Sequence, residues 1–307
     1  MRPLKIKQVN AFTTERFSGN PAGVVLDAKG LQDNTMQLIA REMNLSETAF
    51  ILPPTIKSAN LQIRWFTPNL EVALCGHATI ASFHALSEES LFGMKHPGDY
   101  SFKLQTKSGV LTLNVRKHAN GSEIEFQIPI PKFKALPSVP LPILKALGLS
   151  RNDVDRRIPF LSHSYLYLPL RKLSTVQRLQ PEYGELERSL KKSGKEGLCV
   201  FTLQTIEESS AVHSRFFAPG FGILEDPVTG SANGPLGAIL YSYAITKGLS
   251  IPCAIRDDRR LEFIGEQGDE IDRKGRVKIR VKVRGNTIEY LSIAGEAVTI
   301  FDAVMHY

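Results

Sequence analysis

EVALCGHATIASFHAL (Glu71–Leu86) joins a polar turn, Cys75-Gly76-His77, to an apolar stretch of small residues with the look of a buried helix. The design returns at DPVTGSANGPLGAILY (Asp226–Tyr241), where Thr229-Gly230-Ser231 forms the turn. The approach to each turn matches too. Arg64-Trp65-Phe66-Thr67-Pro68 and Arg215-Phe216-Phe217-Ala218-Pro219 share Arg-aromatic-Phe-x-Pro, and Cys75-Gly76-His77-Ala78 and Thr229-Gly230-Ser231-Ala232 share x-Gly-x-Ala. The second copy carries three more residues between its Arg and its Gly, an insertion read as falling around Leu224-Glu225-Asp226-Pro227. An ordered match of this kind, at a period far longer than that of solenoid repeats, is read as a duplication: two half-proteins, each built around one turn.

Outward from the turns, the elements are mixed. Residues 4–12 and 23–27 read as strands flanking the turn-rich loop Phe17–Gly23, whose glycines permit close backbone approach to a ligand. Asp33 is expected to cap a helix that ends at Asn44, with Met36, Ile39 and Ala40 on one face. Leu45–Leu52 reads as a strand with Glu47 at its mouth, and Ser101–Val115 as a hairpin turning at Ser108-Gly109. Asn120-Gly121 and the proline-rich 129–142 look like the crossing into the second half. Gln177–Lys192 reads as a surface helix, acidic at its start and basic at its end. Strands alternating with single helices predict an α+β fold rather than a doubly wound parallel sheet. The expected domains are 1–118, with a last strand near 297–307 that returns to it, and 119–296.

Composition narrows the function. A 42% hydrophobic and 22% charged chain of 307 residues is an ordinary globular protein of about two domains. No apolar run approaches the ~18 residues of a membrane span, and the first residues lack the apolar core of a secretory signal. The odd, widely spaced cysteines Cys75, Cys199 and Cys253 form neither a zinc pattern nor a disulfide framework, which fits a reducing cytoplasm. The net charge of +7 is spread out, and around 278–284 Lys and Arg alternate with Val and Ile like the wet side of a strand. No aromatic-interleaved basic patch points to nucleic acid, and no GxGxxG or Walker pattern points to a nucleotide cofactor.

Each turn presents free backbone N–H groups at a helix N-terminus, where a carboxylate or other anion can sit. Either turn alone reads equally well as a tightly packed helix with a glycine start. The titratable residues nearby favour chemistry: Glu47, His77 and Asp226, with Ser231 matching His77 in the repeat. Proton transfer at carbon needs a carboxylate to move the proton and a histidine or second acid to polarise the substrate.

SGNPAGVV (18–25), NLSETAF (44–50), EVALCGHAT (71–79), RFFAPGFGILEDPVTGSA (215–232) and FIGEQG (263–268) together resemble the PhzF-like phenazine biosynthesis isomerases, of the diaminopimelate epimerase-like fold. The resemblance spans nearly the whole chain and implies two similar α+β domains, each a rolled sheet around a central helix, with the active site in the cleft between them. It further implies a homodimer, a small acidic substrate, and neither metal nor organic cofactor. On this resemblance Glu47 shuttles a proton between two carbons. His77 and Asp226 orient the substrate, and Asn20, Gly76, Gly230 and Ser231 bind it. Racemases of this fold use a thiol at each turn. Here Cys75 holds the first such position, and Thr229, at the second, cannot serve as a thiolate. Two other readings stay open: an epimerase or dehydratase of an amino or hydroxy acid, and a small-molecule-binding protein without catalysis.

Overall fold

The computed structural model of the protein describes residues 3–256 and 259–307. It divides into two compact units, Met1–Gln127 with Ala294–Tyr307, and Ile128–Ile293.

The first unit contains strands β1 (Pro3–Ala11), β2 (Asn20–Val25), β3 (Glu47–Leu52), β4 (Leu61–Phe66), β5 (Glu71–Val72), β6 (Gly98–Thr106), β7 (Gly109–His118) and β8 (Gly121–Gln127). Its helices are α1 (Asp33–Met43) and α2 (Gly76–Glu88). The C-terminal strand Ala297–His306 pairs antiparallel with β1. From β1 the sheet runs antiparallel to β2, parallel to β3, antiparallel to β4, parallel to β6, and then antiparallel through β7 and β8. β2 and β3 are buried almost continuously, because both faces are covered. On one side Met36, Ile39 and Ala40 of α1 pack with Val25, Phe50 and Phe66. α2, buried from His77 to Ser87, packs against β1, β2, β3 and β8. A helix buried on every side is a central helix.

The second unit contains β9 (Lys134–Ala135), α3 (Leu141–Ala146), β10 (Leu161–Ser162), β11 (Leu166–Pro169), α4 (Leu173–Gln177), α5 (Tyr183–Lys192), β12 (Leu198–Thr202), β13 (Val212–Ala218), β14 (Ile223–Asp226), α6 (Gly230–Ile239), β15 (Ala254–Arg256), β16 (Arg260–Gln267) and β17 (Gly275–Arg284). Its pairings repeat those of the first: β11 parallel to β12, β12 antiparallel to β13, β13 antiparallel to β14 and parallel to β16, β16 antiparallel to β17. α6 is again the buried helix. A Cβ on Gly237 would fall 2.3 Å from Ile279 Cγ2 of β17, so only glycine lets this helix lie so close to the sheet. β17 alternates as its sequence predicts, with Val277, Ile279, Val281 and Val283 buried between basic residues.

Four sequence expectations change. Asn120-Gly121 is the tip of the β7–β8 hairpin, with His118 opposite Gly121, rather than a crossing. The helix expected over 177–192 starts only at Tyr183: Gln177 closes α4, and Pro181, which has no N–H to continue the ladder, lies between the two helices; the carbonyls of Val176 in α4 and of Leu179 just beyond it accept from Arg215 Nη1 at 3.0 and 2.9 Å. Gln32, not Asp33, is the N-cap of α1; Asp33 lies in its first turn and accepts a hydrogen bond from Arg64 at 2.6 Å. The three-residue insertion lies earlier than expected. Arg64 Nε and Nη2 donate to the two oxygens of Glu71, and Arg215 donates in the same fork to Glu225. Glu71 and Glu225 each precede their glycine by the same interval, so the extra residues fall between Pro219 and Glu225, where Pro219–Phe221 forms a 3₁₀ turn.

A buried charge network stiffens the second unit next to β16. His213 lies between two carboxylates, Nδ1 3.0 Å from Glu266 and Nε2 2.8 Å from Glu270, and Glu266 also accepts the N–H groups of Ile206 and Glu207 at 2.9 and 2.7 Å. Burial alone would push the imidazole down, but the hydrogen bonds to Glu266 and Glu270 outweigh it and raise His213 to about 9. Glu266 and Glu270 are lowered: burial pushes them up, and their bonds to His213 prevail. A raised histidine stabilises fully below its unfolded value near 6.5, and this contribution is lost as pH rises through about 9. The lowered glutamates contribute above about 4.5 and lose their contribution as pH falls. Urea unfolding should therefore show a decline on the order of 3 kcal/mol between pH 6.5 and 9.5 that is absent from His213→Gln. Parallel profiles for the two proteins would refute the assignment.

Candidate active site

α2 and α6 start in the same way. Each N-cap residue, Cys75 or Thr229, has extended backbone angles and makes no side-chain cap bond. Threonine at an N-cap ordinarily bonds the N–H two or three residues on. Here both N-cap side chains turn instead to a titratable neighbour. Cys75 Sγ lies 3.5 Å from His77 Nδ1, and the Thr229 hydroxyl donates to Asp226 Oδ2. The first N–H groups of each helix have no carbonyl within the helix and are not taken by the cap side chain.

In the first unit the structure brings Glu47 and His77 together. β2 and β3 run parallel with Ala22 opposite Glu47, so the glutamate opens β3 beside the Asn20-Pro21-Ala22 start of β2. Glu47 Oε2 stands 3.3 Å from His77 Nε2, and their side chains are 14% and 8% exposed. The distance is that of an ion pair, but the two atoms do not form a hydrogen bond with each other. The imidazole is not charged at neutral pH: burial lowers His77 to about 4, against a weaker upward pull from the Pro21 carbonyl. Asn20 is fully buried at the start of β2, and Gly76 is the first residue of α2. One ligand atom each from Glu47, Cys75 and His77 lies within 4.8 Å of the others, a spacing that a single small ion could bridge; His77 also contacts each of the other two directly.

In the second unit Asp226 is buried at the end of β14, opposite Phe216 of β13. Its counterpart in the first unit is Val72, opposite Trp65. Each turn therefore carries a different titratable group, His77 after the first glycine and Asp226 before the second. Gly230 is buried, and Ser231 is exposed with its Oγ 3.2 Å from the Tyr165 hydroxyl. Tyr165 stacks edge-on against Phe216. Sequence reasoning assigned no role to Tyr165, Asn233 or Gln267. Of these only Gln267 carried a signal, as the glutamine of FIGEQG.

The comparisons with known proteins agree with this architecture. Residues 9–303 match the family described as phenazine biosynthesis-like protein, and the chain belongs to that family. It is 35% identical to an uncharacterized isomerase of Clostridium acetobutylicum over 98% of this chain and 97% of that protein. The crystal structure of a Bacillus anthracis phenazine biosynthesis protein of the PhzF family is similar with a TM-score of 0.86 at 30% identity, covering 100% of both chains. A hydroxyproline epimerase from Agrobacterium vitis, crystallised with trans-4-hydroxy-L-proline, is similar in fold alone: TM-score 0.61 at 13% identity, over 99% of this chain and 92% of that one. The fold is thus α+β and diaminopimelate epimerase-like, two similar sheets each wrapped on a central helix.

The depressed His77 has a direct signature. Its ring ¹⁵N shifts should stay flat from pH 8 to pH 5, as for a neutral imidazole. A titration centred near 6.5 would show that the ring is solvated and not held as described.

Proposed function

We propose that this member of the phenazine biosynthesis-like family is an isomerase that moves a proton between two carbons of a small carboxylic acid, with Glu47 as the acid–base group. One observation carries the proposal: a carboxylate 3.3 Å from a buried imidazole, both at the N-terminus of a buried helix. The relatives' description as isomerases supports the reaction class.

The reaction balances without an oxidant or reductant. Glu47 takes a proton from a carbon α or vinylogous to the substrate carboxylate, and the C–H electron pair enters the conjugated system. A new C–H bond then forms at the other carbon as Glu47 returns the proton. His77, neutral at working pH, orients the substrate and polarises its amino or keto group without adding a competing cation. Asp226 assists that orientation. The N–H groups at the start of α2, at Gly76, and at the start of α6, at Gly230 and Ser231, are each suited to a carboxylate, where the helix dipole favours negative charge. Asn20, buried where β2 begins, completes the set of polar side chains.

A two-base epimerisation is the second reading, since the fold also carries a hydroxyproline epimerase. The side chains argue against its two-thiol form. The N-cap of α2 is Cys75, but the N-cap of α6 is Thr229, whose hydroxyl is already engaged with Asp226.

The test is hydrogen exchange at carbon. Wild type and Glu47→Gln are incubated in D₂O with a cyclic dihydro-hydroxyanthranilic acid and a panel of small amino and hydroxy acids, and followed by NMR. Glu47→Gln should remain folded and lose ~10²–10⁴-fold of any proton migration or washout. Undiminished exchange in that variant would remove Glu47 from the mechanism.

A further inference from the structure

We infer that Gln267 is a positioning residue that sets the direction and protonation of the Asp226 carboxylate through the hydroxyl of Thr229. The inference rests on the proposed role of Asp226 and adds to it the device that holds the group in place.

Gln267 is 1% exposed, and all four of its amide's hydrogen-bonding positions are filled. Nε2 donates to the Asp226 carbonyl at 2.8 Å and to Thr229 Oγ1 at 3.0 Å. Oε1 accepts the Thr229 N–H at 3.1 Å and Asn233 Nδ2 at 2.8 Å. The partners fix which end of the amide is which. A flipped amide would point N–H groups at two donors and its oxygen at a carbonyl. Asn233 Nδ2 also reaches the Thr229 carbonyl at 3.2 Å, tying the glutamine to the first turn of α6.

The hydroxyl of Thr229 has one proton. It accepts from Gln267 and so directs that proton at Asp226 Oδ2. A hydroxyl that accepts is a stronger donor, and a donor to the ionised form of a carboxylate favours that form. The chain Gln267→Thr229→Asp226 therefore keeps the carboxylate ionised and sets its rotation. Thr229 serves Asp226 at the cost of its ordinary capping bond. The residue after the glutamine is wedged in the same way. Gly268 has φ +88°, and a Cβ there would lie 2.5 Å from the Pro227 carbonyl. The end of β16 is thus pressed against the Asp226–Thr229 turn with no room for a side chain, which holds Gln267 in register with its four partners.

The test uses the full chain labelled with ¹³C at aspartate carboxyls, with the Asp226 resonance identified by its loss in Asp226→Asn. In Thr229→Val, a near-isosteric change, the Asp226 titration midpoint should rise by about one pH unit. Thr229→Ser, which keeps the hydroxyl, should restore it. Gln267→Met should raise the midpoint in the wild-type background and have no further effect in Thr229→Val. A midpoint unmoved by Thr229→Val overturns the inference, and Thr229→Val reports whether or not Gln267→Met folds. An equal rise from Gln267→Met in both backgrounds overturns it too, because the glutamine would then act without the threonine. The functional reading fails separately: Asp226→Asn that exchanges substrate hydrogen at the wild-type rate would exclude Asp226 from the chemistry, whatever the titrations show.

Discussion

A guanidinium gripped by both oxygens of one carboxylate closes each of the two turns, Arg64 on Glu71 and Arg215 on Glu225. Each arginine also stands over the phenylalanine two residues on, at 5.2 Å from its ring centroid in both units. The fork fixes the short strand that leads into the turn, so that the chain enters the buried helix from one direction only. In the second unit both side chains are less than a tenth exposed, and the arginine also holds the end of α4. Removing one partner from such a pair strands the other charge, at a cost of about 3–5 kcal/mol. Asp226 immediately follows Glu225, so this ion pair also fixes where Asp226 sits.

The two units have diverged at the turn while keeping the frame. The same pairing order surrounds α2 and α6, and both N-cap side chains forgo capping. What they serve differs. A thiol faces an imidazole made neutral by burial, and a hydroxyl faces a carboxylate. One turn thus presents a ring left uncharged by burial beside Glu47, and the other a carboxyl group that accepts from the Thr229 hydroxyl. A single scaffold used twice thus provides two different environments for titratable groups.

Buried polarity in the second unit is concentrated at the end of β16. Glu266 anchors the His213 network, Gln267 the α6 turn, and Gly268 the close backbone contact with Pro227. Three consecutive residues do three different tasks because strand neighbours point to opposite faces. Glu266 reaches His213 on β13, while Gln267 reaches the turn after β14. In a low-dielectric interior each such group is costly if left unmatched, so the satisfied network selects one arrangement of β13, β16 and the turn.

Local chemistry made much of this legible from residues alone. Arg-aromatic-Phe-x-Pro and x-Gly-x-Ala reveal the duplication, the alternation of 276–284 its strand, and Asn44 the left-handed end of α1. Pro181 is an equally local sign, masked by a charge pattern that runs from acidic to basic after it. The sequence by itself therefore determined the family, the repeat and the identity of the titratable residues, since periodicity and turn chemistry act over a few neighbours. Tertiary structure alone decided that Glu47 meets His77, that the insertion precedes Glu225, and that Gln267 bonds Thr229. These depend on strand register between distant segments, where a slip of one residue turns every side chain to the other face.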